Sequence, residues 1–275
     1  MKRLIRLVLR YVPRKYIQRI VQWCTPLMGL LYAGRGVECP ICGRHYRKFM
    51  PYGYVHSREN ALCPHCLALE RHRLLWLYLQ NETDFFEAPA RLLHIAPEYC
   101  FIKRFERLPK LDYVTADLES PLAKVKMDIQ QIPFPDNEFD IIFCNHILEH
   151  VEDDRLAMRE MFRVMRPGGW GVMLSPVNME REVTYEDPSI TDPDERERCF
   201  GQKDHLRDYG RDYGKRLAEA GFEVEEIDYG DGVRPRADGE RKSKDFYTVL
   251  VLGCMVCVQK SSIGFTNRSK FSKKF

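Results

Sequence analysis

The sequence predicts an α/β chain in which a small four-cysteine module precedes a doubly wound sheet of seven strands, the last one antiparallel. Three observations carry this. Residues 140–177 hold a short apolar run (IIFC, 141–144), a stretch of helical spacing (152–166) and a second apolar run (WGVMLSPV, 170–177). That is the strand–helix–strand order of a buried parallel sheet. Cys39, Cys42, Cys63 and Cys66 form two C-x2-C units separated by twenty residues, the spacing of a metal-binding ribbon. Toward the C-terminus, FEVEEID (222–228) and FYTVLVLGCMVCV (246–258) follow a helix at 211–220 that Gly221 ends, and they close the sheet.

Composition bounds the function. With 44% hydrophobic and 30% charged residues in 275, the chain reads as globular and soluble, one ordinary domain plus a small module. No apolar run reaches the roughly 18–20 residues that a membrane-spanning helix needs. The net charge of +3 hides an asymmetry, because residues 1–35 carry eight Lys or Arg and residues 261–275 carry four, with no acid in either. The remaining 31 basic residues face all 40 acidic ones, a balance of −9 that makes the body a poor platform for phosphate backbones. Arg6 and Arg10 interrupt the apolar start and no small-residue cleavage site follows, which argues against a signal peptide. Paired and scattered cysteines in such a chain point to the reducing cytoplasm.

Four regions follow in order. Residues 1–34 form a basic amphipathic segment broken at Pro13, with Trp23, Tyr11 and Tyr16 of the type found at membrane interfaces. Within it, residues 1–33 read either as an in-plane anchor drawn to anionic lipid at the inner membrane face or as a helical pair packed on the protein. Residues 35–88 hold the ribbon and a connecting helix (LALERHRLLWLYLQ, 67–80), with 81–89 as linker. Zinc accepts four thiolates in a tetrahedron, and each Cys-Pro-x-Cys turn can present two; the alternative is a pair of disulfides. His45 and His65 read as bystanders. Residues 89–260 hold the sheet, with strands at 91–96, 113–117, 123–127, 140–144, 169–175 and the two C-terminal runs. Pro167-Gly168-Gly169 reads as the stop of the 152–166 helix. Cys254 and Cys257 fall in a strand and point to opposite faces, so they read as core and surface. The tail, 261–275, is polar, basic and expected to be disordered.

The acid in MDIQQIPFPD (127–136) and the turn RPGG (166–169), in this order around the IIFC strand, resemble the class I S-adenosylmethionine-dependent methyltransferases, in particular the methyltransferase type 11-like branch. The resemblance spans about fifty residues. It implies a Rossmann-like sheet, S-adenosyl-L-methionine as cofactor, and ligand residues at the carboxyl ends of the strands where the strand order reverses. It assigns Asp117, with Leu118 beside it, to the ribose, Asp128 and Ile129 to the adenine, and Asn145 and His146 to the methionine part. At the first strand the family places an acid and a glycine-rich loop, whereas this chain reads LLHIAPEYC, with His94 at the acidic position and Ala96, Pro97 and Glu98 in place of the glycines. Glu98 is the acid available to meet the cofactor's ammonium. The HIAPE loop and the four-cysteine ribbon together also resemble a bacterial subgroup of these methyltransferases.

The segment 184–217 is too long for a simple connection and reads as a lid or binding loop. Its GQKDHLRDYG resembles the family's DH-x-x-x-Y element, which implies His205 as general base for an acceptor hydroxyl, with Tyr209, Arg211 and Tyr213 orienting the acceptor. The expected activity is methyl transfer to an oxygen or nitrogen of a small or lipid-linked, saccharide-like acceptor. The alternatives are an RNA methyltransferase gripping phosphate with ribbon and basic ends, and a non-catalytic binding module on the cofactor fold.

Overall fold

A computed structural model provides the structure, which describes residues 25–53, 57–227 and 255–260. The basic segment 1–24, Cys254 and the tail 261–275 lie outside the described residues. The chain divides into two compact units. One comprises residues 1–81 and 98–104, the other 82–97 and 105–275. The helix expected at 67–80 goes with the cysteines, and so does the stretch just after the HIAPE loop.

In the first unit, β1 (Ala33–Cys39) and β2 (Arg44–Tyr46) form one antiparallel hairpin and β3 (Met50–Tyr52) and β4 (Arg58–Leu62) another. The first hairpin carries its Cys-Pro-x-Cys turn between β1 and β2, the second leads into its turn after β4, and the two turns are built alike. Gly43 N–H donates to Cys39 O at 2.8 Å and Leu67 N–H to Cys63 O at 3.0 Å, and both closing residues are left-handed, with φ of 63° and 60°. Glycine takes that conformation freely at Gly43. At Leu67 the same turn is imposed on a branched side chain. Helix α1 (Glu70–Asn81) starts only after this turn and buries His72, Arg73, Leu75, Tyr78 and Leu79. Helix α2 (Tyr99–Phe105) belongs to this unit through residue 104, with Phe101 stacked on Trp76 at 6.4 Å and edge-on to His72 at 5.8 Å.

The second unit is built on a seven-stranded sheet. Its strands are β5 (Ala90–Ile95), β6 (Leu111–Asp117), β7 (Val125–Lys126), β8 (Phe139–Asn145), β9 (Met165–Leu174), β12 (Glu223–Ile227) and β13 (Met255–Gln259). They lie in the order β12-β13-β9-β8-β5-β6-β7, with β13 antiparallel to both neighbours and the pairs among β5 to β9 parallel. The order reverses at β5, between β6 and β8. The doubly wound sheet with one antiparallel strand is therefore the fold of this unit. β8 is central, which is why IIFC carries no polar residue. Helix α3 (Asp154–Val164) lays Ala157, Met158, Met161 and Val164 on the core, each larger side chain worth roughly 1.5–3 kcal/mol of burial. Asp153 caps it, its Oδ1 accepting from Leu156 N–H at 2.8 Å.

Two expectations need correction. Pro167-Gly168-Gly169 does not stop the helix, which ends at Val164. The turn lies inside β9 as a bulge, where the register on β8 jumps from Phe139↔Met165 to Ile141↔Trp170 and Gly168 takes φ 79°. The apolar Met165 continues both the helical and the strand pattern, so the sequence could not mark the boundary. The linker 81–89 also contributes to the core, since Phe85 is buried with its ring 5.0 Å from Phe105 and 5.6 Å from Phe143.

Candidate functional site

The cysteine cluster forms from the two turns of the first unit. Cys39 Sγ lies 3.6 Å from Cys66 Sγ and Cys42 Sγ 3.8 Å from Cys63 Sγ, and all four sulfurs lie within 4.8 Å of one another. A disulfide brings its sulfurs to about 2.05 Å, whereas a zinc tetrahedron with bonds of about 2.3 Å has edges near 3.8 Å. The donor set fits zinc. Hydrogen bonding with Cys39 brings the Cys63 thiol down to about 7 and the Cys42 thiol well below the ordinary range. Cys39 and Cys66 are held above it, chiefly by their hydrogen bonds with Cys42 and Cys39 respectively. Four thiolates around a divalent ion leave excess negative charge, and Arg73 supplies a buried counter-cation. Its guanidinium donates to Ala61 O and Ala68 O, each at 2.9 Å, and lies 4.2 Å over the Phe49 ring. His45 pairs instead with Glu38 at 3.5 Å, and neither it nor His65 joins the sulfur cluster.

In the second unit, the carboxyl ends of the strands gather most of the residues singled out from the sequence. Asp117 ends β6, and its Oδ1 accepts from Glu119 N–H at 2.8 Å and Ser120 N–H at 2.6 Å, which fixes the carboxylate at the rim. Leu118 follows, 63% exposed despite its apolar side chain. Met127 N–H donates to Asp117 O at 3.2 Å, so the segment carrying exposed Asp128 and buried Ile129 is tied directly to the end of β6. Asp128 Oδ1 in turn accepts from Gln130 N–H at 2.8 Å.

Both strands at the reversal end in left-handed residues that are not glycine. Ala96 after β5 has φ 48° and donates its N–H to Ala116 O at 2.8 Å; His146 after β8 has φ 57° and donates to Leu174 O at 2.7 Å. The backbone thus takes at Ala96 the conformation that glycine would favour, held there by strand pairing. His94 is elsewhere. It lies wholly inside the sheet's packing, Nδ1 2.8 Å from Tyr113 Oη and its ring 5.7 Å from Phe143, so it is a core residue and not a rim ligand. Glu98 groups with the first unit, its Oε1 3.8 Å from His72 Nε2. Asn145 is buried at the end of β8.

The expected lid is anchored. It contains β10 (Tyr185–Glu186), helix α4 (Pro193–Phe200), β11 (Arg207–Asp208), which pairs with β10, and helix α5 (Tyr213–Glu219). Arg207, 3% exposed, donates to Leu148 O, Val151 O and Glu152 O at 2.6–2.9 Å and pairs with Glu186 at 3.1 Å. Asp154 receives Tyr209 Oη and Arg216 Nη1, each at 2.7 Å. Tyr209 and Tyr213 are therefore core residues rather than acceptor-orienting ones, and burial raises both phenols. Arg211 donates to Met179 O at 2.7 Å. His205 is also buried, Nδ1 3.0 Å from Phe200 O, its ring edge-on to His150 at 4.8 Å. Burial first, then the charge of His150, lowers its pKa below the ordinary imidazole value.

Glu149 was not singled out by sequence reasoning. It is 1% exposed, accepts from Ser175 Oγ at 2.9 Å and lies 3.4 Å from His146 Nδ1. Burial opposes its charge, but His146 and the Ser175 hydroxyl prevail and hold it below the ordinary glutamate range. The available signal was an acid flanked by histidines in an otherwise apolar run, HILEHV.

Residues 98–173 match a family described as "Methyltransferase domain". Among known proteins, the chain is 39% identical over 59 residues to the ubiquinone/menaquinone biosynthesis C-methyltransferase UbiE of Pseudoalteromonas translucida, covering 22% of this chain and 24% of the relative. It is 33% identical over 79 residues to ajmaline N-methyltransferase of Rauvolfia serpentina, covering 29% and 26%. The chain thus spans about a quarter of the length of these curated relatives. Two solved structures are similar in outline. YcgJ from Bacillus subtilis has a TM-score of 0.43 at 16% identity, covering 70% of this chain and all of the other (100%). The 1,6-didemethyltoxoflavin-N1-methyltransferase of Burkholderia thailandensis, solved with S-adenosylhomocysteine, has a TM-score of 0.43 at 14% identity, covering 70% and 78%.

Proposed function

We propose that this chain, which carries a methyltransferase domain across residues 98–173, transfers the methyl group of S-adenosylmethionine to an oxygen or nitrogen of a small or lipid-linked, saccharide-like acceptor. The observation that carries the reading is the pair of rim carboxylates, Asp117 and Asp128, on segments joined by the Met127–Asp117 hydrogen bond beside the point of strand reversal. Two carboxylates there suit the ribose hydroxyls and the adenine amino group, and exposed Leu118 offers an apolar surface for the base. The left-handed turns at Ala96 and His146 bring backbone to the same rim. The cofactor supplies a methyl group already activated on a sulfonium, so the chain's own work is alignment and exclusion of water. The acidic body supports a small acceptor over a polyanion.

Calorimetry with S-adenosylmethionine tests this. Asp117→Ala removes charge-assisted hydrogen bonds of roughly 1.5–3 kcal/mol each, so affinity is expected to fall at least about tenfold, with a smaller loss for Asp128→Ala. Unchanged binding in both variants would rule the site out.

A lipid-linked acceptor suits a peripheral membrane contact through residues 1–33. In its described part, Leu27, Leu30 and Leu31 are exposed at 62%, 74% and 62%. No described helix is long and apolar enough to cross a membrane. Cosedimentation with anionic vesicles is expected for the intact chain and strongly reduced when Leu30 and Leu31 are both replaced by Glu. Equal sedimentation of the two would dismiss the contact.

A further inference from the structure

We propose that Glu149, His150 and His205 form a second metal site, separate from the cysteines, that takes a divalent transition-metal cation through nitrogen and oxygen donors. One ligand atom from each lies within 4.8 Å of the other two. The three come from two distant parts of the chain. Glu149 and His150 stand on the 3-10 turn Leu148–His150 just past β8, and His205 stands just before β11.

The imidazoles are prepared for a metal by what their other nitrogens touch. His150 Nδ1 is 3.1 Å from Asp204 O, and His205 Nδ1 is 3.0 Å from Phe200 O. A carbonyl can only accept, so each Nδ1 carries the hydrogen and each Nε2 is left with its lone pair. That is the tautomer and the second-layer anchoring that metal-bound histidines use. His205 Nε2 is buried with no hydrogen-bond partner among the described residues. A buried polar atom left this way is unfavourable, and a cation would satisfy it. Glu149 brings a buried carboxylate whose two oxygens already meet Ser175 Oγ and the His146 ring, and whose charge calls for a cation nearby.

The framework is rigid. Leu206 N–H donates to Glu149 O at 2.9 Å, and Arg207 grips the carbonyls of Leu148, Val151 and Glu152, so the ligand-bearing segments are pinned together on both sides of the cluster. Two imidazoles and one carboxylate suit manganese, iron, cobalt or zinc, and such a triad leaves coordination positions open. This assigns the His205 lone pair to a metal rather than to an acceptor proton. A cation beside the carboxyl end of β8 would orient an acceptor oxygen, and that last role alone rests on the proposed methyl transfer.

The test is titration of the full chain, purified with its own zinc, with Mn2+ alone, followed by calorimetry and by the electron paramagnetic resonance signal of free Mn2+. Thiolates select softer metals, so the cysteine cluster does not compete. The expected result is about one Mn2+ per chain, weakened about tenfold or more in His150→Ala, whose half-buried ring can be removed with little effect on the fold, and likewise in His205→Ala. Absence of binding by both Mn2+ and Co2+ in the intact chain overturns the site, as does His150→Ala binding like the parent. S-adenosylmethionine titrated into the same sample separates the two readings. Cofactor binding without Mn2+ binding removes only the metal site, and Mn2+ binding without cofactor binding removes only the methyltransferase reading.

Discussion

Cys63→Ser is expected to strip the metal from the first unit and unfold residues 37–81, while the second unit keeps its sheet. A thirty-residue segment with two short hairpins buries too little apolar surface to fold unaided, and structural zinc in such modules contributes on the order of 10–16 kcal/mol. Serine's hydroxyl is a poor ligand where a thiolate is needed, and Cys63 is one of the four clustered sulfurs, 3.8 Å from Cys42. Elemental analysis should show about one zinc per parent chain and none firmly held in the variant, and hydrogen exchange should show protection lost over the hairpins but kept in β5, β6 and β8. A parent chain without metal, or a variant with unchanged protection in the ribbon, would contradict the assignment.

Arg207→Met is expected to lower the stability of the second unit by about 3 kcal/mol or more, read as a fall in its calorimetric melting temperature. The side chain is buried and satisfies three carbonyls and a carboxylate at once. Methionine fills similar volume but leaves those acceptors without their donor, the situation in which breaking a buried charged network is most destabilising. A melting temperature within a degree or so of the parent would show that the 148–152 turn stands without the clamp. The same network has a pH signature. Burial disfavours the Glu186 charge, yet Arg216 and Arg207 hold its pKa below the ordinary 4.5. A depressed carboxyl stabilises the fold fully above that value, and the contribution is lost as pH falls through the folded value. Arg207→Met should therefore flatten the loss of stability at acid pH.

What could be read from the sequence follows the range of the interactions involved. The cysteine turns were legible because Cys39 with Cys42, and Cys63 with Cys66, are local motifs whose chemistry fixes their geometry. The strand at 140–144 was legible because a central parallel strand excludes polar residues. Asp117 and Asp128 were legible through motif order and stand at the rim. His94, Tyr209 and Tyr213 were read toward a ligand and turned out to be packed inside, because a polar tip can be satisfied by one distant neighbour, Tyr113 for His94 and Asp154 for Tyr209. Glu149 gave the opposite error. Its partners Ser175 and His205 lie 26 and 56 positions further along the chain, and only folding brings them together.

The division of the chain has a consequence for synthesis. Residues 98–104 belong with the cysteine unit, yet they are made after β5, the strand at which the sheet order reverses. A chain emerging from the ribosome N-terminus first cannot finish its first unit until the second has begun, and Phe101 must then return to a helix face already carrying Trp76. The cysteine unit is therefore not a detachable bead. Any cut placed between residues 81 and 98, however well exposed the peptide bond, separates a helix from the surface it packs on. Swapping the two units with those of another protein would have to respect three crossings of the chain, at 81/82, 97/98 and 104/105, rather than a single joint.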